Sequence, residues 1–305
     1  MNRVQGSLRG MTLVEVVLAL GLFVMLGLFV SGVVRSVLGI WQTSERQGRG
    51  DLEYLAALER LQSDLAALHT GPRGWLSLDS WELRSGRENE EPWLAPRLRF
   101  LARGSGLRAV DPEGRSAVEV MWTLVPEDNS GQRISRLVRM TQPANSADSL
   151  ASDRYAAAMA KTGAVMSILD GIGWFELNAI ERDGRLHDFA DVAPETPVDF
   201  PRSISFSIDR IEGLARTKPP QLDADLSSGP GRCQLRGPQP LGVVDTVLIE
   251  GEWVELKGSF PRMTITQRGV RGTAPISHSR DSGVLFFRRF GTKINLPSQG
   301  KRLQP

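Results

Sequence analysis

One cysteine, Cys233, and three histidines, His69, His187 and His278, are the whole thiol and imidazole content of this 305-residue chain. A single thiol excludes an intramolecular disulfide framework and any zinc centre built from three or four cysteines. The histidines stand far apart in sequence, which argues against a histidine-rich metal site. A surplus of one charge sign is also missing: 37 Lys and Arg oppose 35 Asp and Glu, for a net charge of +2. A general nucleic-acid binder needs a basic surplus, so no nucleic-acid partner is expected. What is present is ordinary globular material, 41% hydrophobic and 24% charged, enough for a packed core and too apolar for a disordered chain. The length permits one large domain or two small ones.

The apolar residues are unevenly spread. From Leu13 to Val34 the chain reads LVEVVLALGLFVMLGLFVSGVV, 22 residues with one charge, Glu15. A helix rising about 1.5 Å per residue would cover roughly 33 Å there, against a hydrocarbon core of about 30 Å. A cleaved secretory signal has a shorter apolar stretch, about 7–15 residues, closing on a small-residue site. Here Arg35 follows Val34 and no A-x-A pattern occurs. The segment therefore reads as a transmembrane helix. A carboxylate inside it costs about 2–3 kcal/mol on insertion scales. Glu15 lies near one end, where it can snorkel to the headgroups or meet a cation. Basic residues do not orient the span, because Arg3 and Arg9 before it balance Arg35, Arg46 and Arg49 after it.

Ahead of the span lies a short polar leader, MNRVQGSLRG, closing on Gly10 and followed by MTLVEVVLAL. This arrangement resembles the class III signal of type IV pilins and type II secretion pseudopilins. The resemblance implies that prepilin peptidase cuts between Gly10 and Met11, on the cytoplasmic side, and methylates the new amine of Met11. Methionine stands where phenylalanine is more usual. Glu15 becomes the fifth residue of the mature chain, the family's signature acid, which pairs with the N-terminal amine of a neighbouring subunit and sets the register of assembly. Residues 1–10 are then a leader peptide and 11–35 a single span of the inner (cytoplasmic) membrane, with the bulk of the chain in the periplasm.

Past Arg35 the helix is expected to continue, with a weak point at Gly48 and Gly50. Over Asp51–His69 the apolar residues Leu52, Leu55, Leu58, Leu61, Leu65 and Leu68 form a stripe, leaving Glu53, Glu59, Arg60, Gln62 and Asp64 to the wet side. Residues 36–70 thus read as an amphipathic half of the long helix, ended by Gly71-Pro72. Short strands follow at Arg97–Ala102, Ala117–Val125, Ile134–Thr141, Gly173–Ile180 and Ser203–Asp209, the second alternating Val118, Val120, Trp122 and Leu124 against Glu119 and Thr123. The fold class is α+β: a long N-terminal helix, half transmembrane and half packed on an antiparallel sheet.

The strands AVEVMWTLV, RLVR, LDGIGWFEL and FPRSISFSI, with the helix DLEYLAALERLQSDLAAL, resemble the J-type minor pseudopilins over roughly residues 8–212. The K type usually lacks the acid that Glu15 supplies. The resemblance implies a pilin-like domain over 71–212 that needs no cofactor, although related pseudopilins sometimes bind calcium. Its implied partners are prepilin peptidase, the I- and K-type minor subunits and the major pseudopilin. Typical J-type chains end near Ile211, and this one does not. Residues 213–241, rich in Pro, Gly and Ser, read as a linker or long loop. Residues 242–305 read as a small β module of four strands, VVDTVLIEG, EWVELKG, RMTITQRG and GVLFFRRF. That stretch resembles a β module of some virion and surface proteins, built around an Arg-Gly-x-x-Gly-Thr turn.

No residue is expected to be catalytic and none to bind metal. His278 lies between Ser277 and Ser279 without a strained nucleophile elbow, and reads as a loop histidine. Glu250 and Glu252 read as a solvated hairpin, and Gly269–Gly272 lacks the spacing of a phosphate loop. Asp128–Gly131 supplies too few ligands for calcium, His187-Asp188 reads as a loop pair, and Cys233 falls in a glycine-rich stretch with no base beside it. Trp75, Trp81 and Trp93 would anchor a partner or fill the core. Three functions are open at this point: a J-type minor pseudopilin of type II secretion, a minor pilin of a type IV pilus or competence system, and a membrane-anchored enzyme or binding protein. The last would bring polar residues together in the C-terminal module.

Overall fold

The first element is one long helix, α1 (Leu13–Ala66), uninterrupted by proline and helical through Gly48 and Gly50. A computed structural model of the chain describes residues 13–71, 73–83, 92–103, 117–127, 133–144, 149–150, 165–188, 190–192, 200–211, 219–229, 231–239 and 245–297. The chain forms two compact units, Met1–Leu52 and Glu53–Pro305. The first, over its described residues, is the N-terminal part of α1. The second begins with the last turns of that helix and holds all the strands described.

The strands are β1 (Leu76–Leu83), β2 (Trp93–Ala102), β3 (Val118–Pro126), β4 (Ser135–Pro143), β5 (Val165–Ile180), β6 (Leu186–His187), β7 (Ala190–Val192) and β8 (Ser203–Ile211). They continue as β9 (Gln221–Leu222), β10 (Arg232–Arg236), β11 (Thr246–Ile249), β12 (Glu252–Ser259), β13 (Arg262–Val270) and β14 (Val284–Asn295). All pair antiparallel, in the order β7-β1-β2-β3-β4-β5-β8-β14-β11-β12-β13-β10-β9, with β6 beside β5. The α+β class is what the structure shows. β1 was not anticipated: Asp79 and Glu82 stand three residues apart, which breaks the alternation, and Asp79 is drawn in by Arg97 and Arg99.

On one face of the sheet, Tyr54, Ala57, Leu61, Leu65 and Leu68 meet Leu78, Leu98, Phe100, Val120, Trp122, Phe175, Phe206 and Ile294. Each fully buried leucine there contributes about 1.5–3 kcal/mol. The expected leucine stripe is corrected at its start, because Leu52 and Leu55 are 67% and 55% exposed. Spacing explains this: steps of three residues turn the stripe back about 60° each time, so Leu52 lies opposite Leu61. Steps alternating three and four pick out Tyr54, Ala57, Leu61, Asp64 and Leu68 instead, all buried.

The other face is not wet either. Glu119 and Thr123, expected in solvent, are buried, as are Arg97, Arg99 and Gln142. Leu150, from the β4–β5 connection, lies over Trp75, Leu101, Met121, Val138 and Met140. Its main chain is read on both sides: Arg99 Nη1 donates to the Leu150 carbonyl at 2.7 Å, and the Leu150 N–H donates to Glu119 Oε2 at 2.6 Å. The buried charges are tolerated because each is hydrogen-bonded.

β14 serves two neighbours. Val284–Phe286 pairs with β11, while Phe287–Asn295 pairs with β8 along its whole length. Residues 213–241 also contribute strands: β9 and β10 extend the series from β13. Gln221 then bridges Gly283, and the Val284 N–H donates to the Pro220 carbonyl at 2.8 Å. Strands β14 to β9 therefore close on themselves around Leu222, Leu235, Val247, Val254, Ile265, Phe286 and Cys233. Two strands of two and five residues among prolines and glycines leave little periodicity to read.

Candidate functional site

Three places concentrate chemistry. The first is the N-terminal stretch Leu13–Leu38, 26 residues long, whose most apolar window has a mean hydropathy of 2.7 and is nowhere buried. This is one helix long and apolar enough to cross a membrane. Leu18, Phe23 and Phe29 are each more than 60% exposed. Glu15 occupies the first turn of α1 and is exposed; the positive end of the helix dipole favours an acid there. Gly10 and Met11 lie outside the described residues.

The second is the seam between α1 and the sheet. Asp64, 2% exposed, takes the Arg139 guanidinium in a two-pronged grip, Nε to Oδ2 at 2.5 Å and Nη2 to Oδ1 at 2.9 Å. The Trp122 indole N–H adds a third donor at 2.9 Å. A carboxylate placed on the wet side by sequence is thus the most enclosed charge on the helix. It falls two turns beyond Ala57 and in phase with Leu61 and Leu68, which is the signal that identifies it. Tyr54 stacks on Phe290 with ring centroids 4.4 Å apart, and burial pushes its phenol upward in pKa. Arg210 reaches Glu53 from β8. Together these fix how the end of the helix is rotated on the strands.

The third lies at one end of the closed C-terminal strands. β11 and β12 are joined by Glu250-Gly251, both at positive φ (46° and 94°), the geometry of a tight two-residue hairpin. Glu252, whose side chain is fully enclosed, then gathers five donors. Arg268 Nε and Nη2 approach at 2.6 Å each, the Gly269 and Ile276 N–H groups at 3.0 Å, and His278 Nε2 at 2.9 Å. Gly269 is required there: its φ is +62°, and a Cβ would come within 2.6 Å of the Thr273 carbonyl oxygen. His278 Nδ1 faces Glu250 Oε2 at 3.1 Å, and Ser282 donates to Glu250 Oε1 at 3.0 Å. Burial alone would raise the Glu252 carboxyl; Arg268, the Ile276 N–H and His278 outweigh it and hold it below the usual range.

The sequence placed His278 in a polar loop and Glu250 and Glu252 on a solvated hairpin. Instead His278 is 2% exposed and joins both acids, because the β13–β14 connection folds back over β12. Cys233 is likewise corrected: it sits in β10, 1% exposed, and burial pushes its thiol up to about 11, against a smaller opposing pull from Arg268. His187 and Asp188 are exposed on and beside β6. Trp75 is buried in the core, and Trp81 donates to Thr123 Oγ1 at 2.7 Å; Trp93 is half-buried. Asp128–Gly131 lies outside the described residues. Among the described residues no group of three or more His, Cys, Asp or Glu has a metal-binding arrangement.

No protein-family profile, no curated protein and no solved structure matches the chain. The residues themselves carry any functional reading.

Proposed function

We propose that this chain is a J-type minor pseudopilin of a type II secretion system, a structural subunit cut by prepilin peptidase and assembled with its I-type, K-type and major siblings at the tip of a periplasmic pseudopilus. The observation that carries the reading is the placing of Glu15. It is the one charge within Leu13–Val34, it stands in the first turn of an exposed apolar helix of membrane length, and it follows Gly10-Met11 by four residues. A carboxylate there needs a counter-charge, and the amine freed at Met11 of a neighbouring subunit supplies one at the same depth. The seating of Tyr54–Leu68 on an antiparallel sheet supports a pilin-like body. In this reading the protein crosses the inner membrane once, with its sheet in the periplasm, and performs no chemistry of its own.

The rival reading, a membrane-anchored enzyme or binding protein, draws on the meeting of His278, Glu250 and Glu252. It is the weaker of the two, because Glu252 is enclosed and the five donors around it already fill its acceptor capacity. A minor pilin of a type IV pilus or competence system shares the same signal and differs only in its partners.

Glu15→Leu tests the proposal. Membrane insertion stays intact, since the change makes the span more apolar, while crosslinking to sibling pseudopilins falls at least about tenfold, the equivalent of about 1.4 kcal/mol. Wild-type levels of crosslinking in that variant would refute the role given to Glu15.

A further inference from the structure

Charge is unevenly shared along the chain. Residues 213–305 hold 14 Lys and Arg against 7 Asp and Glu, while residues 1–212 hold 23 against 28. Among the C-terminal strands most acids are already engaged: Glu252 takes Arg268, Asp281 takes Arg236, and Asp223 lies near Arg280. Glu250 faces His278, and Asp225 accepts the Arg280 main-chain N–H. Asp209 of β8 takes Arg271 and Arg289. Three exposed cations, Arg232, Lys257 and Arg262, have no ion pair among the described residues.

The strand register brings these three together. Lys257 of β12 and Arg232 of β10 both stand opposite Thr264 of β13, one on each side. Arg262 of β13 stands between Ser259 of β12 and Gln234 of β10 in the same way. All six side chains are exposed and share the outer face, because Cys233, Leu256, Met263 and Ile265, which alternate with them, fill the core of the closed strands. With strands about 4.8 Å apart and a rise of about 6.8 Å over two residues, the cations form a triangle with sides of about 8 to 10 Å. That is close to the Debye length of about 8 Å at physiological salt, so their fields overlap. Thr264 lies midway between Lys257 and Arg232, and Ser259 and Gln234 flank Arg262.

The face therefore offers cations interleaved with hydroxyl and amide groups that both donate and accept hydrogen bonds. A folded protein partner is held by a desolvated aromatic or aliphatic anchor, and a single nucleic-acid strand by rings that stack on its bases. The six residues include neither. They match a ligand that is itself rich in hydroxyls and carries spaced negative groups.

We propose that the outer face of β10, β12 and β13 binds an acidic glycan, with Arg232, Lys257 and Arg262 meeting its carboxylates and Thr264, Ser259 and Gln234 its hydroxyls. The inference stands apart from the pseudopilin reading, and its test needs no sibling subunit. Arginine forks suit carboxylates in two-pronged contact, and the lysine adds a point charge.

The test uses the full chain in nonionic detergent and measures binding of polygalacturonate, with neutral dextran, polyglutamate and polyphosphate as comparison polymers. Polygalacturonate binds more tightly than the other three, and its affinity falls as salt rises. The double variant Lys257→Glu with Arg262→Glu binds it at least about tenfold more weakly, as opposite charges now repel. Lys293→Glu, which reverses an exposed cation on β14, changes nothing. Thr264→Val removes one hydroxyl and weakens polygalacturonate about threefold while leaving polyphosphate binding unchanged. Unaltered binding in the double variant overturns the proposal, and so does an equal loss in Lys293→Glu. Preference for polyphosphate or polyglutamate assigns the face to charge alone or to an acidic protein, and equally overturns the glycan.

Discussion

Along α1, Leu13–Leu38 and Glu53–Ala66 are both rich in large apolar side chains, yet they use them differently. The first leaves Leu18, Phe23 and Phe29 largely exposed, while the second buries Tyr54, Ala57, Leu61 and Leu65 against strands. The placing of their acids differs as well. Asp64 is enclosed and gripped by Arg139 and Trp122 of its own chain, whereas Glu15 sits exposed in the first turn of an apolar stretch. One segment is a completed interface. The other leaves an apolar helix surface of membrane-spanning length exposed, with its acid at one end.

The comparison can be broken most forcefully at Asp64. Arg139→Met strands a buried carboxylate, and the expected loss is about 3–5 kcal/mol in chemical unfolding. The double change Asp64→Leu with Arg139→Met restores most of that stability, because an apolar pair needs no desolvation of charge. A single variant as stable as the wild type would remove Asp64 from the account. Next in size is the contrast along the helix. Leu61→Ala is expected to cost about 2–5 kcal/mol. Leu52→Ala and Leu55→Ala should stay within about 0.5 kcal/mol, since both side chains are exposed. Equal losses at Leu52 and Leu61 would contradict the rotation of the helix on the sheet.

Acid provides a gentler test. Burial opposes ionisation of Asp79, but hydrogen bonds from Arg97 and Arg99 and their charges prevail and depress its pKa. Glu252 is depressed in the same way by Arg268 and its other donors. Folded-state values below the ordinary carboxylate range mean that both groups stabilise the fold above about pH 4 and lose that contribution as pH falls further. Stability of the body measured by denaturant should therefore decline from about pH 5 toward about pH 2, and replacing Asp79 with Asn should flatten part of that slope. Smallest of all is the effect at Cys233. With its thiol at about 11 and buried, alkylation of the folded protein at neutral pH should be far slower than after unfolding.

How far the sequence discloses these features depends on the scale of the signal. The span announces itself, since 22 residues with one charge admit few readings. β3 and β8 were legible because their alternation is regular, β4 because it returns from the turn at Pro126–Gly131, and the four strands from Thr246 to Asn295 because each is bounded by glycine or polar turns. The leucine stripe misled at Leu52 and Leu55, where counting threes instead of following the helical turn put exposed residues in the core. Glu119, Thr123 and Arg99 could not be read as buried, because polar residues on alternate positions look like a wet face until Leu150 meets Glu119 and Arg99 and Trp81 meets Thr123. The meeting of His278 with Glu250 and Glu252 needs pairing between residues 26 and 28 apart, and no local pattern encodes it. The continuation of β14 into the edge of β8 was hidden for the same reason.

The central claim, that a processed N-terminus places Glu15 opposite a neighbour's amine, is tested most directly by the mass of the protein recovered from membranes. The expected N-terminal peptide begins at Met11, carries one added methyl group and lacks residues 1–10, while Gly10→Ala retains the whole leader. Membrane-bound wild-type protein that still begins at Met1 would contradict the claim.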